Sequence, residues 1–306
     1  MQLTSENGRV RAAVDPLGGG LRELEVDGTA ILESYPEGQS PPYAAGEVLF
    51  PWPNRVRDGR WSDQGVEHQL EISEKALNNA SHGLVRGRLL EIADRAGDCV
   101  RLRTELKDSP GYPFHLQLEL EYRVLEDGLR VQSRVHNRGS RKAPFGIGFH
   151  PYLRVGDTPT SDLTLQVAAA ETLEVDDQLI PVGSHPVAGT AEDPNDLPLA
   201  AAVLNHAYGG LTATDGQYRH RLRAGDGRVV ELRTDPAFGW VQVYTCPIYP
   251  RAEGLITAVA IEPMTAPPNA LASGRDLIRL APGGSWQAEW SVHLIDPEGF
   301  IKTTKR

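Results

Sequence analysis

His115-Leu116-Gln117-Leu118-Glu119-Leu120-Glu121-Tyr122-Arg123-Val124, then Leu125-Glu126-Asp127-Gly128, then Leu129-Arg130-Val131-Gln132-Ser133-Arg134-Val135-His136, decides the fold class. Apolar and polar residues alternate on both sides of an Asp-Gly step. A period of two puts every apolar residue on one face, as in a half-buried strand. Asp-Gly supplies the positive φ values of a tight turn, so the pair reads as an antiparallel hairpin.

The same pattern recurs along the chain. Val100, Leu102 and Leu106 alternate with Arg101, Arg103 and Glu105; Trp286, Ala288, Trp290, Val292 and Leu294 alternate with Gln287, Glu289, Ser291 and His293. Asp226-Gly227 divides Leu222 from Val229-Val230-Glu231-Leu232, and Trp240 to Tyr244 forms a further strand. Helical signals are confined to a turn or two between Leu197 and Tyr208. With 31 Gly and 23 Pro punctuating short runs, the expected class is all-β, a large antiparallel β-sandwich. No linker interrupts the series, so residues 1–306 are expected to form a single domain. Gly183 to Pro198 is expected to be a long surface excursion.

The net charge of −10 argues against a nucleic-acid partner and an anionic membrane surface. No apolar run approaches the roughly 20 residues of a membrane span, and the first residues show no secretory signal. Cys99 and Cys246 are too few and too far apart for a disulfide framework, and read as two buried thiols in a reducing cytoplasm. There is no H-E-x-x-H or C-x-x-C for a metal, no phosphate loop and no Gly-X-Ser-X-Gly nucleophile elbow.

Five segments carry chemically able side chains in stiff surroundings. In Gly146-Ile147-Gly148-Phe149-His150-Pro151-Tyr152, proline and glycine hold an imidazole whose ordinary pKa suits proton transfer; a core histidine at a strand end is the competing account. Phe50-Pro51-Trp52-Pro53-Asn54-Arg55 presents a guanidinium fork between prolines and a tryptophan, against the alternative of a surface Arg55–Asp58 pair. His82-Gly83 lies in a polar stretch, where taken alone a capping or turn histidine is the favoured account. Glu262 follows the apolar run Ala258-Val259-Ala260-Ile261 and precedes Pro263, a setting that desolvates a carboxylate and makes it a better base. The fifth segment is Leu204-Asn205-His206-Ala207-Tyr208. His82, His150 and Glu262 form a conceivable metal triad, but a metal-free acid–base pair needs no close-spaced ligands and is preferred.

Together, Asn54-Arg55 with Gly59-Arg60, His82-Gly83, His150-Pro151-Tyr152 and Glu262-Pro263 with Pro268-Asn269-Ala270 resemble the aldose 1-epimerase (galactose mutarotase) family. The motifs come in the family's order and span nearly the whole chain; Phe50-Pro51-Trp52-Pro53 and Glu262-Pro263-Met264-Thr265 are closest to its shorter bacterial branch. The resemblance implies a mutarotase-type β-sandwich that interconverts the α and β anomers of a free aldose without a cofactor. It implies Glu262 as general base, His150 as general acid, and His82 and Arg55 as groups that hold the sugar and its charge. Asn54, Asn205, Tyr152 and Trp52 are further substrate-binding candidates, with Phe149 as an alternative stacking ring. The partner is then a small sugar, and the chain a monomer or homodimer.

Two departures stand out. Asn205 occupies the position of the family's usual Asp, and Leu90 that of a frequent aromatic. A mutarotase for phosphorylated or otherwise acidic hexoses is the competing enzyme, with Arg86 and Arg88 as phosphate candidates; a non-catalytic sugar-binding module is the competing non-enzyme.

Overall fold

Alternation drives the architecture as the sequence predicts. In the computed structural model, which describes residues 1–296, strand Leu116–Val124 pairs antiparallel with Gly128–Asn137, Tyr122 opposite Val131 and Leu118 opposite Val135. Leu116, Leu118, Leu120, Tyr122, Leu129, Val131 and Val135 are buried, as the period of two requires.

This hairpin lies within a nine-stranded antiparallel sheet ordered Glu91–Arg95, Cys99–Leu106, Leu116–Val124, Gly128–Asn137, Ser285–Ile295, Val229–Thr234, Tyr218–Arg223, Thr164–Val167 and Asn195–Pro198. The second large sheet is centred on the hairpin Trp240–Arg251 with Gly254–Met264. Asn205–Gly209 flanks it on one side; Gly148–Phe149 and Tyr152–Leu153 pair with its other strand. The two sheets meet in one apolar core, where Phe149 packs on Trp290 at 5.2 Å between ring centroids. The architecture is an all-β antiparallel sandwich.

Gly183 to Pro198 differs from expectation. It is not wholly irregular: Pro181–Pro186 adds an edge strand beside Glu171–Val175, and Asn195–Pro198 an edge beside Thr164–Val167. Both are largely exposed, so the period-two signal that marks a buried face is weak there. The turn expected after Leu197 is the short 3₁₀ segment Leu199–Ala201, followed by a strand. Cys99 and Cys246 are free and buried. Among the described residues no helix is long and apolar enough to cross a membrane.

Small ladders clamp the loops over the second sheet. Arg55–Arg57 pairs with Asn79–Ser81, and Phe50 bridges Gly83. Gly83 has φ +75°, and a Cβ there would lie 2.2 Å from the Phe50 carbonyl oxygen. We expect Gly83→Ala to destabilise the fold by about 2–4 kcal/mol, read as a lower denaturant midpoint, since both the dihedral and the close approach exclude a side chain.

Candidate active site

The central hairpin uses its two faces differently. Val241, Val243 and Ile261 point into the main core, so Gln242, Tyr244 and Glu262 must point the other way. Register places Gln242 opposite Glu262, and Tyr244 between Asn205 and Ala260. On the neighbouring segment Phe149 enters the core, which turns His150 outward beside Glu262. These residues floor a cavity of about 520 Å³, within the roughly 300–1,000 Å³ usual for small-molecule sites.

The wall comes from the clamped loops. Asn54 and His82 both have left-handed backbones, with φ 55° and 63°, and the His82 N–H donates to the Asn54 carbonyl at 2.9 Å. Such dihedrals persist only where surrounding contacts hold them. Asn269 fixes this wall from behind: its Oδ1 accepts from the Arg57 N–H at 3.1 Å, and its N–H donates to the Arg55 carbonyl at 2.7 Å. Arg55 is gripped by Glu74 through Nε and Nη2 at 2.7 and 2.8 Å, a bidentate pair. Asp58, the partner weighed from sequence, instead accepts from Asn78 at 2.6 Å.

His150 Nε2 lies 3.3 Å from Glu262 Oε1, and both side chains are almost wholly buried. Burial pushes the Glu262 carboxyl up to about 8, with Arg55 pulling the other way. Burial also takes the His150 imidazole down to about 3, and the charges of Arg86 and Arg55 add to that. His82 is lowered well below its ordinary value by burial, then by His150 and the two arginines. The two shifts, Glu262 up and His150 down, both favour the uncharged forms across the 3.3 Å contact, because burial penalises either charge. His82 Nδ1, His150 Nδ1 and Glu262 Oε2 are buried without a protein hydrogen-bond partner among the described residues. Buried polar atoms are normally satisfied, and these three belong to residues that line the cavity, where a polar ligand can meet them.

The amides form a chain. The Arg55 N–H donates to Asn54 Oδ1 at 2.9 Å; Asn54 Nδ2 reaches Gln242 Oε1 at 3.4 Å; Gln242 Nε2 donates to Asn205 Oδ1 at 2.8 Å.

Of the residues singled out from sequence, Asn54, Arg55, His82, His150, Asn205 and Glu262 all line the cavity. Trp52 and Tyr152 do not. Trp52 is buried against Tyr112, and Tyr152 stacks behind His150 at 5.2 Å with its hydroxyl on the Tyr43 carbonyl. Phe149 is a core residue, and Leu90 is buried away from the cavity. Only Phe149 adjoins its site residue, so alternation turns it from His150 into the core; Trp52 and Tyr152 stand two residues from Asn54 and His150 across irregular backbone, where strand parity does not hold. Arg86 lines the cavity and is ion-paired with buried Glu47; Arg88 instead donates to the Leu84 carbonyl at 2.9 Å. Sequence reasoning missed Glu74, Gln242, Tyr43 and Tyr244. Gln242 was accessible in principle, as a polar residue on the outward face of an otherwise apolar strand. Tyr43 and Glu74 sit in loops without periodicity.

The sequence matches the aldose 1-epimerase family profile over residues 1–293. The chain belongs to the aldose 1-epimerase family. It is 34% identical over 283 residues to the uncharacterized protein YihR of Escherichia coli (strain K12), covering 90% of this chain and 87% of that one. This member of the family has the fold of the GalM/aldose epimerase homologue from C. elegans (TM-score 0.83, 16% identity, 96% and 98% coverage). It likewise superimposes on galactose 1-epimerase from Lactobacillus acidophilus NCFM (TM-score 0.80, 19% identity, 95% and 92% coverage).

The raised carboxyl has a stability consequence. Below the ordinary carboxyl value of 4.5 Glu262 is protonated in folded and unfolded chains alike, so it costs nothing; the cost grows as pH rises from there to about 8. Glu262→Gln should raise Tm at pH 8 by roughly 3–8 °C in scanning calorimetry, a gain that shrinks toward zero near pH 4.

Proposed function

We propose that the chain is a mutarotase that interconverts the anomers of an aldose through acid–base ring opening at His150 and Glu262. The observation that carries this reading is the buried contact itself, His150 Nε2 3.3 Å from Glu262 Oε1 on the floor of a polar cavity. Opening the ring removes a proton from the anomeric hydroxyl, delivers one to the ring oxygen, breaks the bond between C1 and that oxygen and forms the carbonyl. A pair that holds one proton can do both and end unchanged. Hydroxyl groups of the sugar donating to Glu262 favour its charged form and move the proton to His150. The same burial makes the Glu262 carboxylate a stronger base and the His150 imidazolium a stronger acid than their exposed counterparts. The aldehyde turns about C1–C2, and closure reverses each transfer.

His82 and Arg55 support the sugar and the charge on its oxygens, and Tyr43 and Tyr244 are the rings that line the cavity. A free aldose suits the site better than a phosphorylated one: Arg55 and Arg86 are both already engaged by carboxylates, leaving no clustered cations for a dianion. A binding module without catalysis has no use for a carboxyl held near 8 against an imidazole.

Polarimetry on freshly dissolved α-glucose and α-galactose tests this reading. Glu262→Gln and His150→Asn should each lower kcat by at least about 10²-fold while retaining weak sugar binding. Ordinary rates in both variants would remove the mechanism. In wild type, kcat/KM should stay level from about pH 5 to 7 and fall as pH rises through about 8, where the pair loses its proton.

A further inference from the structure

The amide chain has a direction, and the direction is set by a group that cannot be turned around. A backbone N–H is always a donor, so the 2.9 Å contact from the Arg55 N–H fixes which end of Asn54 is oxygen. Asn54 Nδ2 must then be the atom facing Gln242, which answers with Oε1 at 3.4 Å. Gln242 is left with Nε2 toward Asn205, whose Oδ1 accepts at 2.8 Å. Reversing any one amide would set two donors or two acceptors against each other within a buried site. Asn205 is half-buried and lines the cavity, and its Nδ2 has no protein partner among the described residues. The relay therefore ends in a donor offered to the ligand.

A carboxylate at this position would end the same relay in a charged acceptor and would call for a donating hydroxyl. We propose that Asn205, oriented by Gln242 and Asn54, makes this site accept aldoses whose group at that position takes a hydrogen bond and need not have a proton to give. Besides a hydroxyl, such a group can be a neutral, substituted oxygen or an ionised acid. Arg55 is paired with Glu74 and Arg86 with Glu47, so neither arginine sets a charge requirement on that group. This inference rests on the mutarotase reading only for its assay.

The experiment compares wild type with Asn205→Asp, which keeps the acceptor for Gln242 and replaces the cavity donor by an acceptor. Anomerisation is followed by NMR exchange for glucose, for glucoses carrying fluorine in place of each non-anomeric hydroxyl in turn, and for glucuronate. Intrinsic reactivity cancels in the variant-to-wild-type ratio of kcat/KM for each sugar. We expect that ratio to fall about 10-fold or more, relative to glucose, for one fluoro sugar if the accepted group is neutral, or for glucuronate alone if it is ionised. Gln242→Met, which frees the Asn205 amide to rotate, should lose the discrimination while keeping Asn205. A flat ratio across the series overturns the inference. If wild type turns over none of these sugars the mutarotase reading fails instead; dissociation constants from titration calorimetry then supply the same ratio. A flat ratio there, or no binding at all, overturns the inference as well.

Discussion

Everything at the site depends on a carboxyl held in the middle of a sheet. Glu262 sits opposite Gln242 on a central strand that has neighbours on both sides, with its side chain on the face opposite the main core. It cannot swing to water without unpicking the ladder, so desolvation acts on it permanently. That one constraint sets its proton affinity, draws His150 into contact, and leaves an oxygen without a protein partner.

The rest of the site is brought to that carboxyl by loops that strands alone could not form. The short ladder of Arg55–Arg57 with Asn79–Ser81 ties two sequence-distant segments into one wall. Left-handed Asn54 and His82 aim their side chains inward, and Gly83 allows the chain to pass against Phe50. The floor is therefore a product of regular alternation, and the wall a product of exceptions to it.

This division explains what could be read in advance. The strands containing Leu116, Leu129, Val229, Trp240 and Trp286 were legible because one buried face imposes a period of two. Arg55, His82, His150 and Glu262 were legible because rigid or apolar neighbours set them apart and their order matched a family. Trp52 and Tyr152, candidates from sequence, lie outside the cavity lining, because an aromatic near a site residue looks the same in sequence whether it faces the cavity or the interior. Glu74 and Tyr43 were invisible: the ion pair with Arg55 and the approach of the Tyr43 loop are long-range contacts with no local pattern.

The cavity's polar groups are held by the protein itself: Arg55 by Glu74, Asn205 by Gln242, and His150 by the ring of Tyr152. Immobilising a flexible side chain at a binding surface costs about 0.5–1.5 kcal/mol, and here that ordering belongs to folding. A ligand therefore meets a preorganised surface, on which a few hydrogen bonds suffice to orient it. Under the mutarotase reading proposed above, that ordering is complete before either anomer arrives and serves both alike.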